Sequence, residues 1–173
     1  MGKLLIALTL LLSLNAFAEV ADRVIVEKGA KTLKLMKGDK VLKSYRVSLG
    51  RNSPDGPKER EGDMRTPEGR YRITAHSKHS DFFFSLRVSY PNKNDVEKAK
   101  SLGVDPGGDI MIHGLPDLKS WERWGLPKDW ADYRVVKWHY LINWTAGCIA
   151  VTNSEVKEIA KLVPVGTEIE IQP

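Results

Sequence analysis

Cysteine is nearly absent from this sequence, because Cys148 is the only one in 173 residues. A single cysteine cannot form an internal disulfide, so the chain has to fold on its own hydrophobic core. In an oxidising compartment, an odd cysteine is half of an intermolecular disulfide, a reactive thiol, or a small buried hydrophobe. The residues around Cys148 therefore have to indicate which of these three roles it has.

Long apolar runs are also missing once the first residues have passed. The run Leu4–Leu14 is preceded by Lys3 and followed by Ala16, Phe17 and Ala18. It is shorter than the roughly 20 residues that span a bilayer, and its flanks are typical of a secretory signal peptide. We expect a signal peptide over residues 1–18, and a mature chain in the periplasm or cell envelope with no membrane span.

Charge of one sign is only mildly in excess, with 27 basic residues against 22 acidic ones. No dense basic block interleaved with aromatics occurs, so nucleic acid is not an expected partner, whereas an anionic wall polymer or membrane surface suits this balance. The four histidines show no HExxH spacing and no G-x-S-x-G elbow is present. These absences predict no metal site and no serine nucleophile. Covalent chemistry on a cysteine would need neither metal nor nucleotide, so no cofactor is expected.

The remaining residues, 19–173, have the length of a single domain that is mainly β. Alternating or β-branched patterns predict an antiparallel meander, then further strands, with a final strand that completes the sheet. In order, the predicted strands are Arg23–Glu27, Thr32–Met36, Val41–Ser48, Tyr71–Thr74, Leu86–Tyr90, Asp109–Ile112, Cys148–Val151 and Glu168–Ile171.

Between these strands, composition indicates loops and two short helices. Residues Gly50–Gly69 are rich in glycine, proline and charge and predict a long functional loop. Asn94 is expected to cap a helix Val96–Leu102 that ends at Gly103, and Thr152 or Asn153 a helix Glu155–Leu162. All five tryptophans lie within Pro116–Trp144, which predicts either the core of a helical insertion or a lid over the site.

The surroundings of Cys148 favour a nucleophile. Ala146 and Gly147 precede it, so that a substrate backbone can approach and amide groups can face a developing oxyanion. Of the histidines, His76 and His79 lie in a polar stretch that predicts a solvated loop, and His139 fits either surface or core. His113 follows a predicted strand and precedes a glycine, a position that suits a base over a cleft. A base beside Cys148 would be expected to lower the thiol pKa.

These residues, taken in order, resemble the L,D-transpeptidase catalytic domain, or YkuD, family. The resemblance runs through "RTPEGRYRI", "SYPNKND", "IMIHG" (Ile110–Gly114) and "TAGCIAVTN" (Thr145–Asn153), and covers nearly the whole mature chain. It implies a mostly β sandwich-like domain and an enzyme that acts on peptidoglycan stem peptides. Family members attack the amide after the diamino acid at position three, form a thioester, and pass the acyl group to an amine or to water.

Carried over residue by residue, the resemblance assigns Cys148 as nucleophile and His113 as base, with the Gly114 carbonyl orienting the imidazole. Gly147 and Ala146 stand in the oxyanion region. Thr145 of the same motif and Arg65 of the long loop are candidate contacts to substrate, and Lys58 is another charge considered for that role.

Three features depart from the family pattern: Ala146 replaces a common histidine, Ala150 replaces an arginine or asparagine, and the His113–Cys148 interval is long. They leave two alternatives to a transpeptidase. One is a hydrolase with the same dyad, either an L,D-carboxypeptidase or an amidase that releases a wall-linked protein. The other is a non-catalytic peptidoglycan-binding module.

Overall fold

The structure, a computed structural model, describes residues 19–78, 81–116, 120 and 138–173. Within them the chain forms eight strands, a short 3-10 helix at Ser53–Asp55 and two α-helices. The predicted signal peptide, His79, Trp121, Trp124 and Trp130 lie outside the described residues. The strands are β1 (Arg23–Glu27), β2 (Thr32–Lys37), β3 (Lys40–Arg46), β4 (Gly69–Ser77), β5 (Ser85–Val88), β6 (Met111–His113), β7 (Ile149–Ala150) and β8 (Glu168–Gln172); the helices are α1 (Lys93–Leu102) and α2 (Asn153–Leu162).

All eight strands belong to one sheet in the order β3-β2-β1-β8-β4-β5-β6-β7. The sheet curls until its ends meet, because Ser48, just after β3, pairs with Ala150 of β7. Their amide–carbonyl bonds measure 2.9 and 2.8 Å. The mainly β expectation is confirmed, and the sandwich takes the form of a curled sheet.

The core lies on the inner face of this sheet. Burial alternates along β1 and β8, so that Val24, Val26, Ile169 and Ile171 point inward while their neighbours are half-exposed. Alternation arises because successive side chains in a strand point to opposite faces. Each such aliphatic side chain contributes about 1.5–3 kcal/mol on burial.

Helix α1 starts earlier than predicted, because its N-cap is Asn92 and not Asn94. The Asn92 side chain accepts hydrogen bonds from the amides of Asn94 and Asp95, at 2.8 and 3.2 Å. The Asp95 carboxylate in turn accepts a hydrogen bond from the Asn92 amide, which completes a capping box. Gly103 ends the helix with φ 69°, as predicted. Thr152 caps α2 with an equivalent box to Glu155.

Two further predictions are corrected by the sheet. His76 lies in β4 and is half-buried, so it is not a solvated loop histidine. Strand β4 continues to Ser77 because it pairs with β5 through Ser77 and Ser85. Among the described helices, none combines the length and apolar character needed to cross a bilayer.

Candidate active site

Three adjacent strands supply the floor of the candidate site. Cross-strand pairing sets Ser77, Ser85 and His113 in one row and Ala75, Arg87 and Met111 in the next. Residues paired across a sheet present their side chains on the same face. Cys148 stands just before β7, the parallel partner of β6, at the side of the second row. Residues more than 70 positions apart therefore meet on one face.

These rows line a cavity of about 370 Å³ that holds both His113 and Cys148. The described lining residues are Ala75, Ser77, Asp81, Phe82, Ser85, Arg87, Asp109, Met111, His113 and Cys148. Within the described part of the chain, no group of three or more His, Cys, Asp or Glu side chains is arranged to bind a metal.

His113 is fixed in one tautomer by its own neighbour. Its Nδ1 lies 2.6 Å from the carbonyl oxygen of Gly114. A carbonyl can only accept, so Nδ1 carries the proton and Nε2 holds the free lone pair. The Gly114 amide donates to the Phe84 carbonyl at 3.1 Å, which holds the glycine carbonyl in place.

Asn153 completes this arrangement and was not identified as a site residue from the sequence. Its side-chain oxygen accepts a hydrogen bond from the Leu115 amide at 2.8 Å. A Cβ at position 114 would approach that oxygen to 2.5 Å, so the turn requires glycine. The first residue of α2 thus supports the turn that orients the imidazole.

Aromatic rings enclose the imidazole, a contact that no sequence pattern predicted. The Phe82 ring lies 4.2 Å from that of His113, and the Trp144 ring meets it edge-on at 5.7 Å. Trp144 Nε1 donates to His139 Nδ1 at 3.1 Å. His139 is therefore a core residue, 2% exposed, on the far side of Trp144.

Burial keeps both histidines uncharged. Desolvation lowers the pKa of His113 to about 4, the Gly114 carbonyl works in the opposite direction, and His139 adds a smaller lowering effect. Desolvation alone lowers the pKa of His139 to about 4. At neutral pH each is a neutral imidazole, so His113 can accept a proton at Nε2.

Cys148 is half-buried, and its thiol donates to the Asp109 carbonyl at 3.4 Å. Desolvation raises the pKa of this thiol; a hydrogen bond from the Met111 backbone and the charge of Lys58 lower it, and Asp109 raises it. The expectation of a depressed pKa is therefore wrong for this resting arrangement. The site holds a neutral thiol and a neutral imidazole, not a thiolate–imidazolium pair.

Thr145 holds the turn before Cys148 together, which corrects two predictions. Its hydroxyl donates to the Cys148 carbonyl at 2.7 Å and accepts from the Gly147 amide at 3.1 Å. Thr145 is 4% exposed, so it is not available as a substrate contact. The Gly147 amide is already engaged, so it is not free as an oxyanion donor; the amides of exposed Ala146 and of Cys148 are left as candidates.

The long loop packs directly against this turn. Gly147 has φ 137°, and a Cβ there would lie 2.7 Å from the Arg65 carbonyl oxygen. The Arg51 amide donates to the Thr145 carbonyl at 3.0 Å. Glycine is therefore required at position 147 for the backbone conformation and for the close approach of the Arg65 carbonyl. From the sequence, this structural role could not be distinguished from a catalytic one.

The two loop cations proposed as substrate contacts are otherwise engaged. Lys58 forms an ion pair with Asp63 at 2.9 Å, with both side chains almost fully buried. The Arg65 guanidinium faces Glu59 at 3.7 Å, and Arg65 is not among the residues that line the cavity. The loop contributes Arg65 to the site through its backbone.

The family model described as the L,D-transpeptidase catalytic domain, YkuD, matches residues 21–171. No curated protein matches the chain.

Solved structures share the fold. The helical cell shape determining protein Pgp2 from Campylobacter jejuni is 24% identical with a TM-score of 0.62, over 89% of this chain and 48% of that one. Bd1075 of Bdellovibrio bacteriovorus is 21% identical with a TM-score of 0.55, over 88% and 48%. An L,D-transpeptidase from Mycobacterium smegmatis is 16% identical with a TM-score of 0.53, over 87% and 58%. The chain thus spans about half the length of these solved chains.

Proposed function

We propose, from the premise that the chain belongs to the L,D-transpeptidase catalytic domain (YkuD) family, that it is a cysteine acyltransferase acting on peptidoglycan stem peptides. The observation that carries the proposal is one cavity containing both the Cys148 thiol and an imidazole whose Nδ1 is fixed by Gly114. Residues 19–173 form the catalytic domain in this proposal.

The neutral pair determines the order of proton transfer. As Cys148 Sγ attacks the scissile carbonyl carbon, its proton passes to His113 Nε2. The Gly114 carbonyl stabilises the resulting imidazolium through Nδ1–H. The C–N bond then breaks, the Nε2 proton goes to the leaving amine, and a thioester remains on Cys148.

The second half-reaction reverses these steps with a new amine. The amine gives its proton to Nε2 and attacks the thioester, and the C–S bond breaks so that the sulfur recovers the proton. During both halves the carbonyl oxygen carries negative charge, and in this proposal the amides of Ala146 and Cys148 donate hydrogen bonds to it. Losing one such donor costs about 3 kcal/mol of transition-state stabilisation.

A location outside the cytoplasm completes the proposal. Supporting it are the Lys3, Leu4–Leu14 and Ala16–Ala18 pattern and the family's action on peptidoglycan. Expression of the full chain followed by N-terminal sequencing of the mature protein tests it, and the expected first residue is Glu19.

The reaction is tested with purified mature protein and a defined disaccharide tetrapeptide, read by mass spectrometry. We expect a cross-linked dimer and loss of the terminal residue in the wild type, and neither with Cys148→Ala. Cys148→Ser serves as a size-matched control for folding.

The product separates the proposal from its rivals. A Cys148-dependent tripeptide without dimer would contradict the acyltransferase and identify the hydrolase. Binding of the tetrapeptide without any Cys148-dependent product would identify a wall-binding module.

A further inference from the structure

One charged pair in the cavity has no part in the chemistry described above. Arg87 Nη1 lies 2.6 Å from Asp109 Oδ1, and both residues line the cavity with Cys148 and His113. The backbone carbonyl of Asp109 also accepts the hydrogen bond from the Cys148 thiol. One residue of the pair, Asp109, therefore contacts the Cys148 sulfur through its backbone, and its side chain holds Arg87 in the same cavity.

The sheet brings the Arg87 side chain within reach of the scissile bond. Arg87 is the cross-strand partner of Met111, whose backbone contacts the Cys148 sulfur. Neighbouring strands lie about 4.8 Å apart, which places Cys148 two strand spacings, or about 10 Å, from the Arg87 backbone. An extended arginine side chain covers most of that distance, so its guanidinium can meet a group beside the thiol.

The exposure of the Arg87–Asp109 ion pair indicates that another anion can replace Asp109 as the partner of Arg87. The two side chains are 51% and 74% exposed, and an ion pair this exposed contributes little to folding. Arg87 is also the only exposed residue of β5, whose other three residues are buried. A guanidinium offers two parallel donors that match a carboxylate better than a single-point contact does.

We propose that Arg87 binds the free carboxylate of the residue that leaves the donor peptide. The ion pair between Arg87 and this carboxylate replaces the one between Arg87 and Asp109. This proposal rests on the proposed function, in which the amide bond that precedes the leaving residue is broken. In a tetrapeptide, this residue is the last one, and its carboxylate carbon lies about 3–3.7 Å from the scissile carbonyl carbon, three bonds away. Arg87 therefore determines specificity for donors that end directly after the scissile bond.

The test compares two ligands, a tetrapeptide with a free terminal carboxylate and the same peptide as its terminal amide. Their dissociation constants are measured by calorimetry with the Cys148→Ala protein, in which no reaction occurs. We expect the acid to bind about 10-fold or more tightly than the amide. Arg87→Met should abolish that difference, and Arg87→Lys should retain part of it.

Arg70→Met is the matched control, because Arg70 lies on β4 in an exposed ion pair with Glu170 at 3.8 Å and does not line the cavity. It should preserve the preference for the acid. Equal affinity for acid and amide, or a loss with Arg87→Met that is the same for both ligands, would overturn the assignment. A preserved preference with no product from the wild type would instead contradict acyl transfer and leave Arg87 as the carboxylate contact.

Discussion

At the scale of single residues, the candidate site holds two groups, the Cys148 thiol and the His113 imidazole, that burial keeps neutral. Burial disfavours charge on both the thiol and the imidazole, since it raises the pKa of Cys148 and lowers that of His113 to about 4. In the proposed reaction, base catalysis then has to occur during attack on the carbonyl. A resting thiolate is not required.

This neutral state makes a prediction about pH. Because the Cys148 pKa is raised, the thiolate fraction below pH 8 is smaller than in an ordinary thiol, so alkylation by iodoacetamide should accelerate only above the usual thiol range. Acyl transfer needs neutral His113, so kcat/KM should fall only as pH drops towards about 4. The two rates are measured from pH 4 to 10, with His113→Asn as control. A fast alkylation plateau between pH 5 and 7 would contradict the neutral pair.

At the scale of elements, the loop Gly50–Gly69 is built around a buried charge. The Asp63 carboxylate accepts hydrogen bonds from Lys58 Nζ and from the amides of Glu59, Arg60 and Arg65. Burial acts to raise the pKa of Asp63, but these bonds outweigh it and hold the pKa below its usual range. The same loop places the Arg65 carbonyl beside Gly147. Folding of this loop thus positions the turn that carries Cys148.

Breaking this pair from one side should be costly. Asp63→Ala leaves Lys58 buried and unpaired, and we expect a loss of about 3–5 kcal/mol in the free energy of unfolding, measured by urea denaturation. Lys58→Met combined with Asp63→Ala should recover part of that loss. The control is Glu59→Gln, whose surface contacts to Lys98 and Arg65 should contribute little. A single mutant as stable as the control would show that the pair does not hold the loop.

The elements that sequence predicted well are those whose signal is local. Val24 and Val26, or Ile169 and Ile171, alternate with half-exposed neighbours, and this period follows directly from strand geometry. His113 and Cys148 were proposed as site residues from short stretches of sequence in the same way, and the structure brings both to one cavity. The α1 cap at Asn92 was missed because two asparagines offered the same local signal and tertiary structure chose between them.

Properties that depend on a residue distant in sequence could not be predicted from the sequence. Sequence places Phe82 in a polar stretch, but pairing of β5 with β6 brings its ring over His113. The Gly147 amide was expected to be free, and only the folded turn shows that the Thr145 hydroxyl engages it. Likewise, the sign of the Cys148 pKa shift follows from burial, which a motif does not encode.

At the scale of the whole molecule, closure of the curled sheet supports the site from both ends. The Ser48–Ala150 pairing joins the end of the first meander to β7, and the adjacent Gly50–Thr145 bridge joins the long loop to the turn before Cys148. The His113–Trp144–His139 cluster lies beside this closure. Because burial lowers the pKa of both histidines in the folded state, their protonation is linked to global stability.

Acid should destabilise the protein through these two histidines. Both have a folded-state pKa of about 4, below the value near 6.5 that an unfolded histidine has, so the unfolded state binds more protons between these values. Their contribution is complete above pH 6.5 and is lost as pH falls towards 4, on the order of 3 kcal/mol for each histidine. Urea denaturation at steps from pH 7.5 to 4 measures it. His139→Gln, which keeps an acceptor for Trp144, should reduce the slope of the free energy of unfolding against pH by about half. The control Lys157→Gln, at an exposed position, should leave this slope unchanged. An equal slope in wild type and His139→Gln would assign the acid sensitivity to carboxylates instead.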